Sequence, residues 1–459
     1  MDNIKNIIIK QKEYFNRNKT KDLHNRKDAL NKLKQSILNN KNGIVEALNN
    51  DLAKSEFEAY TTEIGDVLSE ISLFLKKINK WSKDKKVRTP SFLYPAKSFI
   101  MKEPYGIVLI IGPFNYPFNL VMKPLIGAIA AGNTVIVKPS ELSPNVANII
   151  KKVLDEAFDQ EYVATILGDA EVTSSLLEEK FDYIFFTGGA KIGKIIMQAA
   201  AKNLTPITLE LGGKSPAVVS DAANIKIACQ RIARGKFMNA GQTCVAPDYV
   251  FVEEKIFNKF IDGIKDTIVE FYGKDIKGNK DLGRIINKRH HDRLNSLLEK
   301  EKKHIIFGGQ TDIENLYISP TLLTDINFDS PIMEEEIFGP ILPILKYKDL
   351  DKDVIKFIKN GEKPLALYLF TGNKSEEIKI LKEISFGGGM VNDTLLHLAN
   401  PYLPFGGVGN SGIGAYHGKH SFDLFSHKKS IVKRPLNIQF DLTKPPYKNK
   451  LKFIEKYFK

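Results

Sequence analysis

The spacing of apolar residues divides the chain into an amino-terminal helical part and a longer part in which strands and helices alternate. From Ile64 to Trp81, apolar side chains recur every three or four residues, which predicts a helix with one buried face. Residues 1–81 as a whole predict helices. Short β-branched runs begin only after a stretch with prolines at 90, 95 and 104.

These runs form two series of strand candidates separated by helical segments such as 145–158. The first series comprises residues 106–112, 134–138, 182–186, 207–211 and 217–220, and the second, after Cys244, comprises YVFVEE, HIIFGG, ILPILKY and LALYLF. Such alternation is typical of parallel sheets with helices on both faces. We therefore predict an α/β fold with two lobes and a cleft between them.

The composition is that of a globular protein. Of 459 residues, 43% are apolar and 26% are charged, which excludes a collagen-like or mainly disordered chain and predicts two or three domains. Cys229 and Cys244 are too few for a disulfide framework, so we expect a reducing compartment, the cytoplasm. We expect neither a signal peptide nor a membrane span, because no apolar run is long enough.

The net charge of +13 is concentrated at the carboxyl end. Residues 419–459 hold 11 Lys plus Arg and 3 acidic residues, which leaves +5 for the rest of the chain. No zinc-knuckle spacing or aromatic RNA-binding signature accompanies this charge, so no nucleic-acid partner is expected. A charged tail on a mildly basic body describes the pattern better.

The last residues of this tail have the spacing of an amphipathic helix. Tyr447, Leu451, Ile454 and Phe458 would share one helical face, with lysines around them. One interpretation is weak contact with an anionic membrane surface. The other is a solvated tail, or a helix packed on a dimer partner.

A glycine-containing turn follows the strand candidate at 182–186. Gly188, Gly193 and Lys194 have the spacing of a nucleotide-triphosphate P-loop, but Ile195 replaces the Ser or Thr that would hold magnesium. A P-loop protein is therefore a poor alternative. Phosphate binding at the start of the following helix and a simple tight turn both remain open.

Three residues are candidates for chemistry. Cys244 lies in a polar, glycine-containing segment, unlike Cys229, whose helical surroundings indicate a small buried side chain. Glu210 ends a strand candidate and Asn115 follows another, where an amide could donate a hydrogen bond to an oxyanion. Each has a plain alternative, since Glu210 would also fit a solvated strand end and Asn115 a turn.

Six ordered motifs resemble those of the NAD(P)-dependent aldehyde dehydrogenases, over essentially the whole chain. They are GPFNYP (112–117), VIVKPSE (135–141), FFTGG (185–189), LELGGKSP (209–216), GQTC (241–244) and EEIFGP (335–340). The segment 392–422 is similar to the carboxyl-terminal signature of the class 3 group. This resemblance implies oxidation of an aldehyde, medium-chain aliphatic or aromatic for class 3, to the carboxylic acid.

The resemblance also implies roles for the three candidates. Cys244 would attack the aldehyde carbonyl and carry a thiohemiacetal and then a thioester, while Asn115 would hold the oxyanion. Glu210 would activate the water that hydrolyses the thioester. Its presence argues against a coenzyme A-acylating variant.

The same likeness implies a cofactor site. Lys138 and Glu141 would lie at the adenosine ribose, Gly188 and Gly189 at the pyrophosphate, and Glu336 and Phe338 at the nicotinamide end. Further contacts are expected from Ile111, Gly112, Pro113, Thr187 and Leu211. Because Glu141 would repel a 2′-phosphate, NAD is favoured, with NADP as the alternative because Lys138 would offset that repulsion.

The implied architecture is a Rossmann-like cofactor domain (1–82 and 103–210), an α/β catalytic domain (211–414) and a small oligomerisation element (83–102 and 415–459). A homodimer is expected. A peripheral membrane-associated fatty aldehyde dehydrogenase is an alternative reading of the basic tail. No metal site is expected, because the spacings of the histidines match no standard zinc site. We expect solvated or dimer-contact positions for His417, His420 and His427, and a place along a substrate tunnel for His397.

Overall fold

The computed structural model describes residues 2–438 and 444–457. Within them the helices are α1 Asp2–Asn16, α2 Leu23–Asn39, α3 Lys41–Leu52, α4 Glu56–Ala59, α5 Gly65–Trp81, α6 Asn119–Ala131, α7 Pro144–Ala157, α8 Ala170–Leu177, α9 Ala190–Ala201, α10 Ile225–Phe237, α11 Phe257–Tyr272, α12 Lys288–Lys300, α13 Pro331–Glu334, α14 Lys356–Asn360, α15 Lys374–Glu383, α16 Lys419–Leu424 and α17 Leu451–Tyr457. A π-helical turn, Tyr60–Ile64, joins α4 to α5. The helical prediction for residues 1–81 is confirmed.

The strands follow the two predicted series and add several short ones. They are β1 Lys85–Val87, β2 Lys97–Pro104, β3 Ile107–Ile111, β4 Thr134–Lys138, β5 Val163–Thr165, β6 Tyr183–Thr187, β7 Ile207–Glu210, β8 Pro216–Val219, β9 Tyr249–Glu253, β10 Ile305–Phe307, β11 Thr311–Asp312, β12 Tyr317–Ile318, β13 Thr321–Leu323, β14 Ile341–Tyr347, β15 Ala366–Phe370, β16 Gly388–Val391, β17 Gly412–Ile413 and β18 Ser426–Lys433.

The first large sheet has six strands in the order β17-β7-β6-β3-β4-β5, all parallel except β17. Successive residues of β3 point to opposite faces. Val108 and Ile110 pack in the same core as α6, whereas Ile107 and Leu109 pack with α1 and α9. Because both faces of the sheet are buried, most residues in these strands are apolar. The predicted parallel sheet with helices on both faces is confirmed.

The second large sheet has seven strands in the order β10-β13-β14-β9-β8-β15-β16, parallel except for β10. The sequence pattern placed residues 217–220 with the first series, and this was wrong, because β8 pairs with β9 and β15. An apolar run has the same local pattern in either sheet, so only the pairing partner decides its membership. One apolar core runs from the amino-terminal helices to inner faces of both sheets.

A third, small sheet changes the description of the basic carboxyl end. Strand β18 pairs antiparallel with β2 along its whole length, from Ser426 opposite Pro104 to Lys433 opposite Lys97. The prediction of a charged tail was therefore wrong for residues 419–433, which form α16 and β18. The pairing satisfies backbone groups that a solvated tail would leave to water.

The predicted amphipathic helix at the end of the chain is only partly present. Helix α17 begins at Leu451 and includes Ile454, whereas Tyr447 precedes it. Phe458 lies outside the described residues. None of the helices in the described ranges combines the length and the apolar character needed to cross a bilayer.

Candidate active site

The carboxyl ends of the first sheet's strands open onto a cavity of about 1120 Å³. Ile111, Lys138, Thr187 and Glu210 are the last residues of β3, β4, β6 and β7, and all four line it. All fourteen site residues singled out from the sequence line this cavity, namely Ile111, Gly112, Pro113, Asn115, Lys138, Glu141, Thr187, Gly188, Gly189, Glu210, Leu211, Cys244, Glu336 and Phe338. The crevice at the carboxyl ends of the strands is where open α/β sheets bind ligands.

A strained loop carries Cys244 into the cavity. Three consecutive residues before it adopt left-handed backbone angles, with φ of 52° at Asn239, 51° at Ala240 and 74° at Gly241. A side chain at Gly241 would meet the carbonyl oxygen of Gly339 at 2.3 Å, so only glycine fits there. Left-handed non-glycine residues persist only where the surroundings hold them, and such strain clusters at functional sites.

Asn115 is tied to this loop by hydrogen bonds in both directions. Its Nδ2 donates to the Gln242 carbonyl at 3.0 Å, and its own carbonyl accepts from Asn239 Nδ2 at 2.9 Å. The side chain is buried, and its second amide N–H has no acceptor within residues 2–438 and 444–457. That N–H is available to a ligand oxygen in the cavity.

Two phenol groups bracket Cys244 along the chain. The Tyr116 hydroxyl lies 2.8 Å from Thr243 Oγ1, and the Tyr368 hydroxyl donates to the Val245 carbonyl at 2.5 Å. The Tyr368 ring is buried and the Tyr116 ring is half-buried, and their contacts fix the residues on either side of the thiol.

Further rings form one side of the cavity. Tyr416 and Phe405 line it with ring centroids 5.9 Å apart, and His417 stacks on Phe405 at 5.1 Å. The expectation that His417 is solvated or at a dimer contact was wrong, because this residue is 3% exposed within the chain's own core. Burial, with Lys123 nearby, holds the pKa of His417 well below its usual range.

The other histidines behave differently. His420 and His427 are exposed. His397 lies behind the cavity wall, 6.2 Å from the Phe405 ring, and burial lowers its pKa to about 4. No cluster of three or more metal-ligating side chains occurs in the part of the chain that the structure describes.

Glu210 is a buried carboxyl group without a protein partner. It is 3% exposed, and neither carboxyl oxygen has a hydrogen-bond partner among the described residues. Burial raises its pKa well above the usual value. The solvated strand end considered from the sequence is thereby excluded. A buried carboxyl left unpaired at a cavity wall is free to bind a water or a ligand there.

The surroundings of the Cys244 thiol disfavour its ionisation. Burial, followed by the nearby Glu336 and Glu210 carboxyl groups, raises its pKa to about 12. Burial also raises the pKa of Glu336 to about 8. Glu336 can lie against the backbone of Gly212 because this residue has no side chain; a Cβ there would lie 2.0 Å from Glu336 Oε2.

The other cysteine lies away from this cavity. Cys229 is fully buried in α10, as its sequence context indicated.

Another part of the cavity wall combines a glycine turn at a helix start with a lysine–glutamate pair. Gly188 and Gly189 form the turn before α9, and a side chain at Gly189 would project into open space. The free N–H groups at a helix start bind phosphate. Lys138 Nζ lies 3.2 Å from Glu141 Oε2, and that pair offers both a donor and an acceptor for ribose hydroxyls. Gly193 lies inside α9, so no P-loop is formed.

Sequence reasoning missed several residues that support this site. Tyr116 lies within GPFNYP beside Asn115, and Tyr416 lies within residues 392–422, so their place in these segments was the available signal. Lys54 and Glu63 had none, because charged side chains are ordinarily exposed to solvent. Both are fully buried beneath Asn115.

Known proteins resemble this chain over most or all of its length. The profile of the aldehyde dehydrogenase family matches residues 1–431. The chain is 52% identical, over the full length of both proteins, to 4,4'-diaponeurosporen-aldehyde dehydrogenase of Staphylococcus aureus. It is 46% identical to the mouse "aldehyde dehydrogenase, dimeric NADP-preferring" (95% of this chain, 96% of that protein). It is 47% identical to aldehyde dehydrogenase family 3 member A2 of Pongo abelii (94% and 88%).

Among solved structures, the substrate-bound state of Staphylococcus aureus AldH superposes with a TM-score of 0.98, at 52% identity and 99% coverage of each chain. The α/β fold predicted from the motifs is confirmed, as is the likeness to the family 3 enzymes.

Proposed function

Because the chain belongs to the aldehyde dehydrogenase family and so oxidises aldehydes to carboxylic acids with NAD or NADP, we propose that Cys244, Asn115 and Glu210 perform its chemistry. The observation that carries this assignment is the cavity itself. It is lined by a thiol on a strained loop, an amide with a free N–H and an unpaired buried carboxyl.

The first half of the reaction forms a bond between Cys244 Sγ and the aldehyde carbon, and the thiol proton is released to solvent. The carbonyl electron pair moves to oxygen, and the free N–H of Asn115 donates to that oxyanion. One such donor is worth about 3–4 kcal/mol in the transition state. The nicotinamide cofactor supplies a hydride acceptor. When the carbonyl re-forms with loss of hydride, a thioester remains on Cys244.

The second half of the reaction is hydrolysis. Glu210 takes a proton from a water molecule, and the resulting hydroxide attacks the thioester carbon. The carbon–sulfur bond breaks, the departing Cys244 sulfur takes the proton back from Glu210, and the carboxylic acid is released. The buried, unpaired carboxyl supports this role, because a raised pKa matches a group that must accept a proton near neutral pH.

The cofactor contacts follow from the donors on the other side of the cavity. We place the pyrophosphate at Gly188, Gly189 and the start of α9, and the adenosine ribose at Lys138 and Glu141. Glu336 and Phe338 serve the nicotinamide end, and Ile111, Gly112, Pro113, Thr187 and Leu211 complete the walls. We propose a preference for NAD, because the Glu141 carboxylate would repel a 2′-phosphate.

The substrate we propose is an apolar aldehyde, medium-chain aliphatic or aromatic. The Tyr416 and Phe405 rings line the cavity and offer apolar surface to such a chain. The name of the Staphylococcus aureus relative, a diaponeurosporen-aldehyde dehydrogenase, points to an apolar aldehyde as well.

We also propose a cytoplasmic homodimer. The mouse relative is named as dimeric, and the small β1-β2-β18 sheet leaves an edge of β18 open to another chain. This sheet joins the two ranges, 83–102 and 415–459, that we assign to oligomerisation; 1–82 with 103–210, and 211–414, are the proposed cofactor and catalytic domains. Both cysteines are free, which suits a reducing compartment.

Membrane contact through the carboxyl-terminal segment is a second proposal. Tyr447, Leu451 and Phe453 are 65%, 67% and 58% exposed, and lysines flank them. Deleting residues 447–459 should abolish co-sedimentation with anionic liposomes and leave turnover intact. Unchanged co-sedimentation would remove the membrane proposal and leave the enzymatic one untouched.

The enzymatic proposal is tested by following NADH and NADPH formation across a panel of aldehydes. Apolar aldehydes should give the highest kcat/KM, and NAD should be used better than NADP. A preference for short polar aldehydes would contradict the substrate assignment.

A further inference from the structure

A fully buried ion pair lies directly beneath Asn115. The Lys54 ammonium contacts Glu63 Oε1 at 2.5 Å, and both side chains are 0% exposed. The same ammonium donates to the Asn115 carbonyl at 3.0 Å and lies 3.9 Å from the centre of the Tyr116 ring. Neither residue lines the cavity.

Glu63 extends the network to the helix that follows Asn115. Its Oε2 accepts hydrogen bonds from the backbone N–H of Phe118 at 3.2 Å and of Asn119 at 2.8 Å, where α6 begins. A carboxylate at a helix start is stabilised by the free N–H groups and the helix dipole. The pair therefore holds the loop at both ends, at Asn115 and at the start of α6.

The other side of the network is the cysteine loop. The Asn115 carbonyl is shared between Lys54 Nζ and Asn239 Nδ2, and Asn239 Nδ2 also donates to Gln242 O at 3.1 Å. Gln242 O in turn accepts from Asn115 Nδ2. Hydrogen bonds to the Asn115 carbonyl thus fix the position of the side-chain amide relative to both neighbouring loops.

A gain in the free energy of folding does not explain why a charged pair is buried at this position. Taking two charges out of water costs several kcal/mol per ion, and apolar residues of similar volume often serve as well or better. What apolar residues could not do is donate to the Asn115 carbonyl and accept from the start of α6.

We propose that Lys54 and Glu63 are positioning residues for the oxyanion donor: they hold the Asn115 backbone so that its side-chain amide reaches the aldehyde oxygen. This inference rests on the proposed role of Asn115. It assigns no contact between either residue and the substrate.

The test separates a chemical step that needs the oxyanion donor from one that does not. Hydride transfer, measured as single-turnover NADH formation at saturating aldehyde, requires the oxyanion to be stabilised. Alkylation of Cys244 by iodoacetamide displaces iodide and forms no oxyanion. NAD affinity, measured by equilibrium titration, reports on the cofactor end of the cavity.

Lys54→Met keeps the aliphatic stem and removes the ammonium. It should slow hydride transfer by about tenfold or more, since complete loss of an oxyanion donor costs about 10²–10³-fold and a misplaced one part of that. Cysteine alkylation and the NAD dissociation constant should stay within about twofold. Equal losses in all three measurements, or unchanged hydride transfer, would overturn the proposal.

Glu63→Gln is the second variant, and it decides the matter if Lys54→Met does not fold. The introduced amide has one oxygen and one NH2 group. Its NH2 group would face another donor, either the Lys54 ammonium or the N–H groups at the start of α6, so one of these hydrogen bonds would be lost. The same selective loss of hydride transfer is expected, at about threefold or more. A uniform loss across the three measurements contradicts the positioning role.

Lys123→Met is the matched control. Lys123 is also buried, with Nζ 2.7 Å from Asp66 Oδ2, but it makes no contact with Asn115. It should lower stability without a selective loss of hydride transfer, and the same selective loss there would overturn the specific role of Lys54.

An Asn115→Ala arm separates the two proposals. Should Asn115→Ala leave hydride transfer unchanged, the proposed function of Asn115 fails. Should it slow hydride transfer while Lys54→Met and Glu63→Gln do not, only the positioning inference fails.

Discussion

Asn115 Nδ2 donates a hydrogen bond to the Gln242 carbonyl across 3.0 Å, and Cys244 follows two residues later. This bond joins the loop after β3 to the loop after α10, although 127 residues separate the two partners in the chain. It couples the position of the proposed oxyanion donor to that of the proposed nucleophile. The Gln242 carbonyl also accepts from Asn239 Nδ2 at 3.1 Å, so the loop of the nucleophile keeps an anchor of its own if the Asn115 loop shifts.

Cys244→Ala should abolish turnover, because no other group on the cavity wall can form the thioester. Cys229→Ala is the matched control, since Cys229 is fully buried in α10, where its thiol contacts the Phe260 carbonyl. The control should lose some stability and keep its kcat. Steady-state NADH formation measures both variants, and turnover by Cys244→Ala would refute the nucleophile.

Glu210→Gln should give one equivalent of NADH and then stall, because the thioester forms but is not hydrolysed. General-base catalysis contributes about 10²–10⁴-fold, so the steady-state rate should fall by about that factor. A burst followed by a wild-type steady state would remove Glu210 from hydrolysis.

The pH dependence of the same step has a definite sign. The Glu210 pKa is raised, so its base form is scarce at low pH and grows as pH rises. Where hydrolysis limits turnover, the wild-type rate should climb with pH. That climb should be absent in Glu210→Gln, and its persistence would assign it to another group.

Glu141→Gln should shift cofactor choice toward NADP. Removing the carboxylate removes repulsion of a 2′-phosphate while Lys138 stays 3.2 Å from this position. The ratio of kcat/KM for NADP over NAD should rise about tenfold, equivalent to about 1.4 kcal/mol. Glu178→Gln, on an exposed residue outside the cavity, should leave the ratio unchanged.

Glu336→Gln should make the resting thiol more reactive, but only at high pH. The Glu336 carboxyl helps to raise the Cys244 pKa, and its own pKa is about 8. Below pH 7 the wild-type carboxyl is mostly neutral, so alkylation rates of the two proteins should agree. Above pH 9 the variant should be alkylated about a few-fold faster, because removal of the negative charge lowers the Cys244 pKa and so raises the fraction of thiolate. A ratio independent of pH would contradict this electrostatic contact.

Local pattern accounts for much of the fold and of the candidate site. The β-branched runs of β3, β4, β6 and β14 predicted buried parallel strands, because strands buried on both faces must be apolar throughout. Four site residues, Ile111, Lys138, Thr187 and Glu210, are the last residues of β3, β4, β6 and β7, so the strand ends along the chain already indicated one shared edge. The motifs around Cys244 and Asn115 indicated their chemistry.

Tertiary structure decided what depends on contacts between distant parts of the chain. An apolar run does not specify which strand it will pair with, so only the fold shows β8 in the second sheet and β18 on β2. Burial of Lys54 with Glu63 could not be predicted, since a charged side chain favours solvent until a partner elsewhere in the fold satisfies it. Burial of His417 could not be predicted either, because it depends on the Phe405 and Tyr416 rings that pack against it. The sequence by itself determined which chemical groups the site contains. Only the tertiary structure decided which of these side chains lose water and which pair with each other, because both depend on the two loops and the amino-terminal helices packing together.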